Sequence, residues 1–573
     1  MIISRQEHPK PQFERKGWRN LNGIWDFEID FGNSGEARGL YMEDAALSGK
    51  INVPFCPESK LSGIGNTDFM SAVWYKRKFE ISEEELSGRV FLHFGAVDYK
   101  AKVYVNGMPV GEHSGGYVSF SFEISEWLRP GENTVTVYAE DDTRSRHVPS
   151  GKQSMRYASR GCYYTRTTGI WQTVWLEFTP KTYVEKIKLT PDLDSMTLLA
   201  EVKLVGKAVL SLTAELDGKE VGNAALISEG GVTSLSLPLS EKALWEPLSP
   251  RLYDLKIKYG DDEVKSYFGL RKIRIDGRRV LINEKPVFQR LILDQGFYPD
   301  GIYTAPSDDE LRGDIERAIA LGFNGARIHQ KIFEERFLYH ADRLGYMVWG
   351  EYPSHGLDPS EFDSAYEMMS EWCEEIERDY NHPSIVGWSP FNETFAFGIK
   401  PNPKLIEHFY TVTKQLDSTR PVIDASGGIR TCRTDIEDTH NYEQDEVRFA
   451  SLFEKIGTEE DAYFEDVENS YRNVGGKPFM VSEYGGAGFL TDGDAESSWG
   501  YGNAKSEEEF LAKLKALTDI ILKNPCITGF CYTQLTDVEQ EKNGLYTYDR
   551  KLKFSAEALR KIFGRKAAIE GET

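Results

Sequence analysis

The chain opens with short runs in which apolar and polar positions alternate, the two-residue period of a half-buried strand. Arg89-Val-Phe-Leu-His-Phe and Lys102-Val-Tyr-Val are such runs, and Asn106-Gly107 marks a tight turn after the second. Asn133-Thr-Val-Thr-Val-Tyr follows the turn Pro130-Gly131 in the same way. Short strands cut by glycine and asparagine turns predict a β-sandwich over residues 1–180. Residues 181–274 keep the alternation with more polar faces, as in Lys186-Ile-Lys-Leu-Thr, Leu199-Ala-Glu-Val-Lys-Leu and Leu252-Tyr-Asp-Leu-Lys-Ile-Lys-Tyr. That length and pattern fit an immunoglobulin-like β-sandwich.

From residue 275 the pattern switches to strand, helix, strand, helix. Val287-Phe-Gln-Arg-Leu-Ile-Leu has the apolar run of a buried strand. Ser307 and Glu310 then stand at capping-box spacing; Leu311, Ile315, Ala318 and Ile319 share one helical face, and Gly322 is placed to end it. The second strand lies near Gly325-Ala-Arg-Ile-His, and its helix carries Phe333, Phe337, Ala341 and Leu344 before Gly345. Further strands fall at Tyr346-Met-Val-Trp, Ile385-Val-Gly-Trp, Pro421-Val-Ile-Asp, Asp438-Thr-His-Asn, Pro478-Phe-Met-Val-Ser and Ile527-Thr-Gly-Phe-Cys-Tyr. Helical patterns lie near 363–380, 403–416, 506–522 and 554–563. Eight strands with intervening helices predict a C-terminal (β/α)8 TIM barrel over 275–573. An open doubly wound sheet gives a similar alternation, but no GxGxxG follows a strand, which weighs against a dinucleotide-binding version.

Charge narrows the partners. With 68 Lys+Arg against 91 Asp+Glu, the formal net charge is −23. Phosphate backbones and anionic membrane surfaces repel such a chain, so no nucleic-acid or membrane partner is expected. No stretch reaches the roughly 18 apolar residues of a membrane span. The start, MIISRQEHPKPQFERKGW, has neither the apolar region nor the cleavage site of a signal peptide, which points to a cytoplasmic protein. The six cysteines form no CxxC pair and read as reduced, mostly buried thiols. No cofactor motif and no metal-ligand cluster is legible, so neither is expected. A homo-oligomer is compatible with the sequence, which fixes no symmetry.

In a barrel of this kind the chemistry sits where strands end. The fourth strand runs into Trp388-Ser-Pro-Phe-Asn392-Glu393, and the seventh into Val481-Ser482-Glu483-Tyr484. Two carboxylates facing each other across a barrel mouth suit glycosidic bond cleavage. One protonates the leaving oxygen, and the other attacks the anomeric carbon if the pair is about 5–5.5 Å apart. Burial and the Glu483 charge are expected to raise the pKa of Glu393, keeping it protonated as the acid. Asn392 is placed to hydrogen-bond the sugar 2-OH. Asp294 ends the first strand as a candidate for a sugar hydroxyl, and Trp499 is a candidate for stacking on a sugar face. Trp349 and Glu351 end the third strand, and Gln534 and Asp537 follow the eighth.

Longer motifs resemble glycoside hydrolase family 2, the family of β-galactosidases and β-glucuronidases, over nearly the whole chain. They include Trp18-Arg-Asn-Leu-Asn-Gly-Ile-Trp25-Asp-Phe, Val73-Trp-Tyr-Lys-Arg-Lys-Phe and Phe94-Gly-Ala-Val-Asp-Tyr-Lys-Ala-Lys-Val-Tyr-Val-Asn-Gly. Thr168-Gly-Ile-Trp-Gln-Thr-Val-Trp-Leu-Glu, Leu244-Trp-Glu-Pro-Leu-Ser-Pro-Arg-Leu-Tyr, Phe268-Gly-Leu-Arg and Ile282-Asn-Glu-Lys-Pro complete the set. The resemblance implies a jelly-roll, sugar-binding-like first domain, and it implies Glu393 as acid/base and Glu483 as nucleophile. It also implies roles near the nucleophile and sugar for Arg327, His329, His440 and Tyr442. The family's glucuronidases carry Asn-x-Lys before a glycine in the last barrel segment, to meet the sugar carboxylate. Here Glu541-Lys542-Asn543-Gly544 puts Glu541 and Asn543 at those places, which lowers the glucuronidase reading. The expectation is therefore a retaining exo-β-glycosidase, β-galactosidase first. Glucuronidase, mannosidase or arabinopyranosidase-like activity on the same scaffold is the alternative, and a non-catalytic glycan-binding protein is disfavoured by the intact carboxylate pair.

Overall fold

The structure is a computed structural model that describes residues 4–571 except 396–397, 430, 432 and 490–497. A six-stranded antiparallel sheet, with Val73–Ile81 and Gly131–Glu140 at its centre, faces a four-stranded sheet centred on Val174–Thr179 and Arg89–Phe94. Trp25, Tyr75, Phe94 and Val137 fill the space between them. A three-stranded and a four-stranded sheet follow, Tyr183–Asp192 to Gly231–Pro238 and Ala208–Leu216 to Asp262–Phe268. They close over a core of their own that includes Leu198, Leu212, Tyr253 and Phe268.

The third unit is a curled parallel sheet of seven strands. In spatial order these are Ile385–Ser389, Met347–Glu351, Gly325–Ile328, Gln289–Asp294, Ile527–Thr533, Phe479–Gly485 and Glu437–Asn441. The expected fifth strand is not continuous. Residues 421–426 lie in the gap between the fourth strand and Glu437–Asn441, held by single bridges from Val422 to Trp388 and from Ser426 to Asn392. The Asp424 carboxylate explains the break: it turns to accept hydrogen bonds from Ala425 N at 2.9 Å and Thr431 N at 2.8 Å, bending the backbone out of strand geometry. The ring is thus closed by a bridged segment in place of a strand.

Helices end where their caps dictate. Ser307, Ser506 and Ser555 side chains accept from backbone N–H groups of the first turn, and Gly345 at φ 68° closes Glu335–Leu344. Inside the barrel, Leu291, Leu293, Met347, Trp349, Met480 and Cys531 pack as a floor. Among the described residues no helix is long and apolar enough to cross a membrane. Of the cysteines, Cys56 and Cys531 are buried while Cys162, Cys373 and Cys526 are partly exposed, so the thiols are less buried than expected; Cys432 lies outside the described residues.

One excursion of the first sandwich matters for function. Its segment 150–166 leaves the sheets and lies on the barrel mouth. Ser150 N donates to His355 O at 2.9 Å, and Gln540 Nε2 donates to Gly161 O at 2.7 Å.

Candidate active site

The floor just described supports a polar layer at the C-terminal ends of the strands. Arg327 ends the second strand pointing inward and is 1% exposed. Its Nη1 donates to Glu483 Oε1 at 3.0 Å and to Ser482 O at 2.8 Å; its Nη2 donates to Glu351 Oε2 at 2.5 Å and to Asn392 Oδ1 at 3.0 Å. One guanidinium therefore ties four strand ends together. Its planar fork suits that task better than an ammonium would. His329 Nδ1 lies 2.9 Å from Glu351 Oε1 and 4.0 Å from Glu483 Oε1.

Glu393 and Glu483 meet through His440. The imidazole Nδ1 is 2.9 Å from Glu393 Oε1, and Nε2 is 3.4 Å from Glu483 Oε1. Donor atoms of all three residues lie within 4.8 Å of one another. Such spacing would admit a cation, but Arg327 and Tyr442 already engage Glu483 and His440 engages Glu393. Tyr442 OH donates to Glu483 Oε2 and lies 3.1 Å from Thr533 Oγ1. Two backbone features set this geometry. Glu393 holds φ at 42°, a left-handed conformation that costs a non-glycine residue on the order of 1–3 kcal/mol. Gly427, at φ +59°, passes so close to His440 that an added Cβ would sit 2.2 Å from the ring.

The electrostatics correct one expectation. Burial does push the Glu393 carboxyl up, but the His440 hydrogen bond and charge, with Lys152 and His355 behind them, outweigh it. The net effect holds Glu393 below the usual carboxylate range, not above it. Glu351 is likewise held low: burial opposes, and Arg327 and His329 prevail.

Of the residues singled out from sequence, Arg327, His329, Asn392, Glu393, His440, Tyr442 and Glu483 share this layer. Asp294 does not. Along its strand Leu291 and Leu293 face the barrel interior, so Asp294 points out to the helix layer. There its carboxylate accepts from Gly296 N at 2.9 Å. Burial and Asp314 raise it to about 7. Trp499 stands one ring away from the carboxylates: it packs edge-on to Tyr501 at 4.8 Å, and Tyr501 stacks face to face on Tyr442. Trp349 belongs to the floor, and Asp537 pairs with Lys553 at 2.6 Å.

Sequence reasoning missed Tyr501, His355 and the contribution of the first sandwich. His355 Nε2 is 3.4 Å from Asn392 Nδ2, and its Nδ1 is 3.4 Å from Tyr163 OH. Tyr164 OH donates to Glu541, whose other oxygen accepts from Asn543 Nδ2 at 2.8 Å. Gln534 Nε2 donates to Asn543 Oδ1 at 2.7 Å, and Gln295 Nε2 donates to Gln534 Oε1 at 2.6 Å and Tyr164 OH at 2.8 Å. No periodicity marks loop residues that meet only in three dimensions.

Family models match each unit in turn. The model described as glycosyl hydrolases family 2, sugar binding domain, covers residues 64–180; glycosyl hydrolases family 2 covers 182–271; and its TIM barrel domain covers 305–567. Among curated relatives, a β-glucuronidase of Paenibacillus borealis is 25% identical over 95% of this chain and 96% of its own length. The β-glucuronidase of Canis lupus familiaris is 26% identical over 97% and 92%. A β-galactosidase of Thermoanaerobacter pseudethanolicus is 27% identical over 73% of this chain, which spans only 54% of that protein. A crystal structure of Ruminococcus gnavus β-glucuronidase shares the fold, with a TM-score of 0.78 at 19% identity over 98% of this chain and 99% of that one. With all three units matched in order, the chain belongs to glycoside hydrolase family 2 and is a glycoside hydrolase.

Proposed function

We propose that the protein is a retaining exo-β-glycosidase acting on terminal β-D-glucuronides, with Glu483 as nucleophile and Glu393 as acid/base. The observation that carries the mechanism is the approach of the two carboxylates to within 4.8 Å at facing strand ends. That spacing suits a nucleophile and its acid/base partner, and leaves no room for the water of an inverting enzyme. Arg327 and Tyr442 grip the two Glu483 oxygens and hold it aimed at the anomeric carbon. As Glu483 bonds to that carbon, the leaving oxygen takes the proton held along the Glu393–His440 hydrogen bond. Glu393, then ionised, draws a proton from the incoming water, which attacks the glycosyl ester and frees Glu483. Segment 150–166 closes one side of the mouth, which favours a chain end over an internal sugar.

The sugar moves from the galactoside expected from sequence to a glucuronide. Relatives named β-glucuronidase align over nearly the full length of both chains, whereas the β-galactosidase match spans about half of a longer protein. The sequence objection, an acidic Glu541, is also weaker than it looked. Burial raises Glu541 to about 7, so near neutral pH much of it is uncharged.

Nitrophenyl β-D-glucuronide, galactoside and mannoside and α-L-arabinopyranoside form the test panel, with product configuration read by NMR. The glucuronide is expected to have the highest kcat/KM, with retention, and a 2-fluoro glucuronyl fluoride should label Glu483. Turnover of galactoside alone would replace the sugar assignment. An inverted product, or a label elsewhere, would replace the mechanism.

A further inference from the structure

Lys152 comes from the first sandwich, yet its backbone is pinned to the barrel. Gly151 N donates to His355 O at 3.1 Å and to Pro353 O at 3.3 Å, while within the segment Tyr164 N donates to Lys152 O at 2.8 Å. Gly151 sits at φ +54°, and a Cβ there would stand 2.3 Å from Gln330 O. Only glycine lets the two backbones approach so closely. The side chain that follows is 5% exposed.

Among the described residues the Lys152 ammonium makes no hydrogen bond and has no carboxylate within the 4.0 Å of an ion pair. The Tyr163 ring lies 5.6 Å away. That ring reaches the site: Tyr163 OH is 3.4 Å from His355 Nδ1, and His355 Nε2 is 3.4 Å from Asn392 Nδ2, beside Glu393. The Lys152 charge accordingly bears on Glu393, His355, Glu541 and His329. Burial works against this charge, while Cys162, Tyr163, Glu393 and Glu483 support it, with a net upward shift. Cys162 and Tyr163 are themselves raised by burial and are neutral near pH 7, so the carboxylates are what hold the ammonium charged. Two other buried cations of this region are already engaged. Arg327 is saturated by Glu351, Glu483, Asn392 and Ser482 O, and Lys331 donates to Gly296 O at 2.6 Å and Tyr303 O at 2.7 Å. The ammonium thus stays charged in a buried position without a direct partner, and is free to pair with an arriving anion.

We propose that Lys152 is the residue that reads the substrate's carboxylate, an inference that rests on the uronide reading above. It takes the part that neither Glu541 nor Asn543 can play, and comes from a different domain.

The test compares p-nitrophenyl β-D-glucuronide with its methyl ester, which share leaving group and ring and differ in charge. In Lys152→Met, kcat/KM for the acid should fall about 100-fold, mainly through KM, and roughly tenfold or more beyond the loss for the ester. Lys152→Arg should recover part of the preference, and turnover of the ester reports that each variant is folded. An equal loss on both substrates would mean that Lys152 acts through Glu393 and not on the sugar, and would overturn the proposal. So would an unchanged preference. A wild-type enzyme that cleaves neutral glycosides but not the glucuronide would remove the uronide reading itself. Wild-type glucuronide turnover with the preference intact in Lys152→Met would remove only the role of Lys152.

Discussion

Replacing Glu541 by glutamine isolates one buried proton. The side chain is 2% exposed, and burial raises its pKa from the usual 4.5 to about 7, against the pull of Tyr164, Lys152 and Asn543. The unfolded chain releases this proton above about pH 4.5, whereas the folded protein keeps it to about 7. Stability from this group is therefore complete below 4.5, falls as pH rises toward 7, and is flat beyond. A raised pKa of that size corresponds to about 3 kcal/mol, at about 1.4 kcal/mol per unit. Glu541→Gln keeps the shape and cannot ionise, so relative to wild type it should gain up to about 3 kcal/mol between pH near 5 and pH near 8. Guanidinium titrations of both proteins across that range, followed by tryptophan fluorescence, measure the gap. Kinetics supply a second reading, since ionised Glu541 repels a uronide. Wild-type kcat/KM on the glucuronide should fall above about pH 7, and the neutral methyl ester should escape this fall. A stability gap that does not change with pH, together with identical profiles for the two substrates, would refute the reasoning.

The regular parts of the barrel were legible because their signals are local. The Ser307 cap and the Gly345 stop fixed their helices closely. Apolar runs located most of the strands, whereas the sixth, Asp438-Thr-His-Asn, has none and was placed by the strand–helix alternation. The fifth failed because Pro421-Val-Ile-Asp has strand composition, while the Asp424 side chain competes for the backbone in a way that composition does not show. The short helix Glu446–Ser451 and the hairpin Ala462–Glu465 with Ser470–Asn473 were not read at all. At the site, Glu393 and Glu483 were legible from their places at strand ends. Asp294 was misplaced because a strand buried on both faces hides which side is inward. The acidity of Glu393 was misjudged for another reason: only its acidic neighbour was visible in sequence, and the opposing charges come from His440 and from Lys152, which is distant in the chain.

Three perturbations of the charged layer follow from this wiring. Arg327→Met strands Glu351 and Glu483 without their shared guanidinium, and should cost about 3–5 kcal/mol of stability with a large loss of kcat. Arg327→Lys should recover little, because an ammonium cannot bridge both carboxylates and Asn392; full recovery, seen in thermal unfolding and kcat together, would show that charge alone matters. Glu393→Ala should lose several orders of magnitude on poor leaving groups and far less on dinitrophenyl glycosides, and equal losses would reassign the acid. The third concerns how Glu393 obtains its proton. In the free enzyme His440, Lys152 and His355 hold it low, which suits the base it becomes once Glu483 is esterified and its charge is gone. The acid step needs the opposite bias. A uronate that pairs with Lys152 cancels one of the cations holding Glu393 down, so binding itself raises the proton affinity of the acid and product release resets it. The basic limb set by Glu393 should then lie at higher pH in kcat than in kcat/KM for the glucuronide, with no such separation for the methyl ester. Equal limbs for the two substrates would show that the charge of the sugar does not reach the acid.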